Sequence, residues 1–214
     1  MNRKKIIFLT SLITFVPMLV GLLFWSRLPE ELPIHFNSAG EVDNYGSKAF
    51  VVFFLPLFLF AVHLISSFVT LHDPKKQNIS DKMFLLVQLI APSVAIIACF
   101  ATYSTALGSN ISMNMLGNLF LGLIFIIVGN YLPKSRQNYS IGIKLPWTLT
   151  DTDNWNKTHR LGGIIWLLCG ILLLINAFLD ITWFPLFILL TAVLLPTAYS
   201  FLLYARTNNR TREK

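Results

Sequence analysis

The sequence predicts an all-α integral membrane protein, a bundle of six transmembrane helices with both termini cytoplasmic. Three observations carry this reading. First, 55% of the 214 residues are hydrophobic and only 13% are charged, whereas a soluble domain carries about 25% charged residues. Second, the apolar residues gather into six runs, approximately 6–25, 50–71, 83–107, 113–132, 161–179 and 183–204, none containing Asp, Glu, Lys or Arg. Each is long enough to cross a hydrocarbon core of about 30 Å at about 1.5 Å per helical residue. With no water in that core to satisfy backbone groups, the spans must be helices. Third, 15 of the 17 Lys and Arg residues fall in alternate loops on one side. These are Arg3, Lys4, Lys5, then Lys75, Lys76, Lys82, then Lys134, Arg136, Lys144, Lys157, Arg160, and finally Arg206, Arg210, Arg212 and Lys214. The other side keeps Arg27 and Lys48 beside Glu30, Glu31, Glu41, Asp43 and Asp180, so the basic side is the cytoplasm.

The first span follows Arg3, Lys4 and Lys5 and resembles a signal peptide, but its apolar region is too long and no cleavage site precedes Arg27, so it reads as an uncleaved anchor. Trp25, Tyr131, Trp183 and Tyr204 fall at span ends, where amphipathic rings favour the headgroup level. Topology accounts for the net charge of +7, which leaves no basic patch for nucleic acid. Cys99 and Cys169 lie deep in apolar runs and read as small core residues.

Two soluble segments remain. In the outer one, 26–49, Pro29 and Pro33 impose an extended start, and Ile34 and Phe36 alternate with His35 and Asn37. Turn residues follow at 37–40 and 43–46. The expected object is a small ordered hairpin or loop whose acidic excess favours a cationic partner. His35 with Asp43 or Glu41 lacks a third ligand at metal-site spacing, so hydrogen bonding is the preferred role. Asp43 and Lys48 are candidates for an exposed ion pair.

In the inner segment, 133–160, Ile141, Ile143 and Leu145 alternate with Gly142 and Lys144 until Pro146, which predicts a short extended piece. Thr150 and Asp153 have the form of a capping box opening a helix that carries Trp155 and His159 on one face. Trp147 and Trp155 are expected to anchor at the interface or pack under the loop. Lys144, Lys157 and Arg160 serve topology and headgroup contact before any specific site.

These two segments resemble, in motif and order, the SdpI family of bacterial membrane immunity proteins against secreted toxic peptides. The outer run Pro33-Ile34-His35-Phe36-Asn37 with Gly40, Asp43, Tyr45 and Lys48 is similar to a small domain of unknown function, DUF1648, that opens many members. The inner run Asn138-Tyr139, 141–149, Trp155, Thr158, His159 and Arg160 is similar to the other signature. Where members carry Arg-Thr before Pro-Trp, this chain has Lys144 and Leu145, losing a planar donor and a hydroxyl.

The resemblance implies two regions, 1–72 with the outer loop and 73–214 with the inner signature. It implies a peptide toxin or bacteriocin at the outer face, with His35, Asn37, Gly40, Asp43 and Lys48 as candidate contacts. It further implies a sensor role in which an ArsR-type repressor is held at the inner face. Gly142, Lys144, Pro146, Trp147, Thr148, Trp155, His159 and Arg160 are the candidates there.

His63 is the one ionisable residue well inside a span. Its alternatives are a proton path in a small transporter or channel, and a neutral imidazole bonded to a neighbouring helix. Asn114 and Asn118 suit a helix contact. Metalloprotease, serine-hydrolase and phosphate-loop motifs are absent from the sequence, so no catalysis, metal or cofactor is expected.

Overall fold

The computed structural model describes residues 2–212, with side chains as far as Asn208. Lys214 and the side chains of Arg210 and Arg212, which entered the charge count, lie outside the described residues. Among the described residues six helices are long and apolar enough to cross a membrane, and the chain is a multi-pass membrane protein.

The first span is α1 (Arg3–Thr14) and α2 (Val16–Leu23), interrupted at Phe15. Pro17 sits in the first turn of α2, where its missing N–H costs nothing, and the break falls just before it. A two-stranded antiparallel hairpin follows, β1 (Glu31–Phe36) with β2 (Val42–Ser47). A π-helical turn (Phe50–Phe54) then leads into α3 (Leu55–Leu71) just ahead of Pro56. The next spans are α4 (Asp81–Ala106) and α5 (Met113–Tyr131). The chain continues through a short α6 (Pro146–Thr150), α7 (Thr152–Leu179) and α8 (Phe184–Arg212).

Two compact units result: Met1–Leu71 with Asp81–Gly117, and His72–Ser80 with Asn118–Lys214. The third span, grouped with the last three on sequence, packs with the first two. In the first unit α1, α3 and α4 bundle together. Their shared seam is polar: Thr10, Thr14, His63, Ser67 and Gln88 are all buried. His63 Nε2 lies 3.1 Å from Thr10 Oγ1, and Ser67 Oγ lies 2.5 Å from Gln88 Oε1, the interhelical bonding that replaces water in lipid. Toward the hairpin, Leu28, Leu32, Val51, Val52, Cys99 and Tyr103 form an apolar core.

In the second unit α7 packs along α8, and α5 meets α7 through glycines. Phe125, Cys169, Leu173, Ile188 and Ala192 form the core. Asn176 donates to Asn118 at 3.2 Å, the helix glue expected of Asn118. Asn114 falls in the other unit, against Gly40.

Candidate functional site

The hairpin is built by its turn. Asn37 Oδ1 accepts from the N–H groups of Ala39 (2.9 Å) and Glu41 (3.0 Å), while Gly40 takes φ +79°. That conformation suits glycine. A Cβ on Gly40 would also meet Asn114 at 3.2 Å. The register shifts around His35 and leave its ring beside Asp43, Nδ1 to Oδ1 2.5 Å, both side chains largely exposed. Asn37, Gly40, His35 and Asp43 thus belong to one hairpin tip.

Lys48 behaves otherwise. It is buried, its ammonium donating to Trp25 O (3.3 Å), Leu28 O (3.2 Å) and Glu30 Oε1 (2.8 Å) and lying 4.8 Å from the centre of the Trp25 ring. The exposed Asp43–Lys48 pair is therefore replaced by His35–Asp43 and Lys48–Glu30. The reason is geometric: Lys48 sits beyond the end of β2, where orphan carbonyls at the end of the first span need a donor. Lys48 ties the hairpin base to the helix end.

In the inner segment the expected short strand is absent. The chain from Asn138 to Leu145 is irregular because Gly142 takes φ +121° and breaks the alternation. Its shape is set by buried polar side chains. Asn138 Oδ1 accepts from Ser140 N (3.0 Å) and Ile141 N (2.7 Å). Asp73 Oδ2 accepts from Tyr139 N (2.9 Å) and Ser140 Oγ (2.5 Å). Gln137 donates to Thr148 O at 2.8 Å and accepts from Lys75 Nζ. Thr148 Oγ1 accepts from Leu145 N (2.8 Å) and lies 2.9 Å from Ile143 O. Pro146 does not merely break the chain; it opens α6.

The cap of α7 is also corrected. Asp151, not Thr150, accepts from Asp153 N (2.8 Å) and Asn154 N (3.1 Å), since Thr150 bonds back into α6. Asp153 instead pairs with Lys157 at 2.7 Å.

On the first turns of α7, Trp155 is fully buried, donates to Ser135 O at 2.8 Å and stacks on His159 with ring centres 3.9 Å apart. His159 Nε2 accepts from Ile143 N at 2.9 Å, so the proton sits on Nδ1, which faces Trp155 O at 2.8 Å. Gly142 lies directly against this stack. Trp147 donates to Ser200 Oγ at 2.9 Å and stacks on Tyr204. Ser200 and Asn154 bond to each other at 2.7 Å.

The structure thus joins Gly142, Trp155 and His159 in one cluster and holds Trp147 against α8. Thr148 and Pro146 shape the loop, and Lys144 and Arg160 remain exposed. Asp73, Gln137, Asn154 and Ser200 were missed on sequence. Asp73 alone offered a signal, as an acid in a basic loop. Nearly every buried polar group in the loop is spent on another, which makes a rigid scaffold for a surface. Among the described residues no group of three or more His, Cys, Asp or Glu is placed to hold a metal.

Residues 134–200, which contain this loop, match the SdpI/YfhL protein family. Residues 12–60, which contain the hairpin, match a domain of unknown function, DUF1648. The immunity protein SdpI of Bacillus subtilis (strain 168) is 25% identical over 96% of this chain and 98% of its own length. The chain is thus similar to the SdpI family over its inner segment and to an SdpI immunity protein over nearly its whole length. No solved structure matches it. Both family matches therefore include a segment that the chain holds in defined geometry, the hairpin by Asn37 and Lys48 and the loop by Asp73, Asn138 and His159.

Proposed function

We propose that this protein, in keeping with its similarity to the SdpI family, is a non-enzymatic immunity protein of the bacterial cytoplasmic membrane, protecting its cell from a secreted, membrane-active peptide toxin. The carrying observation is the near full-length similarity to an immunity protein. The hairpin supports a receptor role, because it is ordered and exposes Ile34, Tyr45, His35 and Asp43. The basic-side count supports a hairpin outside and termini inside.

At the inner face, the rigid loop with Lys144, Arg160 and half-exposed Tyr139 offers docking chemistry for an acidic cytosolic partner. An ArsR-type repressor is the partner proposed. The transporter reading is less favoured, since His63 is bonded to Thr10 of a neighbouring helix.

The test is survival of a toxin-sensitive strain expressing the chain or its His35→Ala, Asp43→Ala and Trp147→Ala variants at matched membrane levels. Protection by the parent, lost in the hairpin variants and kept in Trp147→Ala, is expected. No protection by the parent overturns the reading.

A further inference from the structure

Beside the contact between α2 and α4 lies a groove of about 360 Å³, within the roughly 300–1,000 Å³ of ligand sites. Its walls are Val16 and Val20 of α2 and Phe24 at its C-terminal end, with Ile96 and Phe100 of α4 and Leu107 just beyond it. Its floor is fixed by close packing. Tyr103 donates to Pro17 O at 3.2 Å, and a Cβ on Gly21 would lie 2.5 Å from the Tyr103 hydroxyl. The groove is therefore built into the fold.

Its placement is informative. Eight-residue α2 spans about 12 Å, close to the roughly 15 Å of half a hydrocarbon core, and it ends where the hairpin segment begins. The groove thus occupies the depth of the leaflet on the hairpin side. At its polar end, Arg27 is exposed with its guanidinium carbon 5.9 Å from the centre of the Phe24 ring, itself a groove wall. An apolar slot of leaflet depth with one cation at the headgroup level complements an acyl chain joined to a phosphate.

We infer that this groove binds one acyl chain of an anionic phospholipid from the hairpin-side leaflet, with the phosphate held by Arg27. This lipid is distinct from the annular lipids that any span meets, because its chain enters a cleft in the protein and its headgroup is selected by charge. The site is independent of the toxin reading.

The experiment uses the full chain in nanodiscs of equal phosphatidylglycerol and phosphatidylcholine, with retained lipid identified by native mass spectrometry after release into detergent. Retention of one phosphatidylglycerol in preference to phosphatidylcholine is expected. Arg27→Gln should lower that preference about fivefold, the effect of one basic residue near an anionic surface, and leave a neutral lipid bound. Val20→Trp should fill the groove and abolish retention. Leu107→Trp, at the exposed edge, does the same should Val20→Trp fail to fold. Equal retention of both lipids by the parent, or retention unchanged in the groove variants, overturns the inference. So does a Val20→Trp protein that keeps its lipid but loses protection, since the groove would then belong to the peptide.

Discussion

At Gly142 the backbone takes φ +121°, and a Cβ there would lie 3.1 Å from two carbons of the Trp155 ring and fall on Nε2 of His159. Gly142→Ala therefore combines backbone strain of about 1–3 kcal/mol with displacement of the imidazole that accepts from Ile143. A melting temperature lower by about 2–4 °C for each kcal/mol is expected, followed by tryptophan fluorescence in detergent. Gly108 provides the control: it has φ +82° with open space around its Cβ position, so Gly108→Ala carries the strain without the clash. Equal shifts in the two variants would remove the packing argument. The sequence motif singled out Gly142, Trp155 and His159, because their residue types and spacing are distinctive. It did not disclose why they occur together, since the Ile143–His159 bond closes a loop whose path only the fold supplies. The partners of Asp73 were illegible for the same reason: Tyr139 and Ser140 are far along the chain.

Among the elements, the helices were legible because lipid imposes a length and an internally bonded backbone. The hairpin was legible because Asn37 and Gly40 have few other uses. The pairing of α5 with α7 was not. Gly122 and Gly129 on one helix face Gly170 and Gly163 on the other, with Cβ positions 2.7–2.9 Å from the opposing carbonyl oxygens. Seven residues separate each pair, about two turns, so one face of each helix is cut back to backbone. A single sequence shows the spacing but not which helices meet. Gly170→Val should cost about 1–3 kcal/mol by overpacking and loosen the Asn118–Asn176 bond. Gly117→Ala, which meets open space, should be near neutral. The comparison is again of melting temperatures in detergent, and equal stability of the two variants would show that close approach at this seam is dispensable.

Across the whole molecule, the distribution of charge makes one claim that packing cannot: which side each segment faces. If each apolar helix crosses once, the parity of the spans puts the hairpin and the inner loop on opposite sides of the membrane, and the excess of Lys and Arg predicts that the loop faces the cytoplasm. The chain is well suited to a direct check, because its native thiols, Cys99 and Cys169, are both buried and resist a polar reagent. Ser38→Cys places a thiol at the exposed hairpin turn, and Asn156→Cys places one on the exposed face of α7 near its start. In intact cells a membrane-impermeant maleimide should label the first and not the second, with Asn156→Cys reacting only after permeabilisation. The reverse pattern would put the basic loops outside and remove the hairpin as a receptor for anything arriving from there. The expected pattern would fix the side on which a toxin is met, and the protection assay would then read out recognition by His35 and Asp43 on a surface of known orientation.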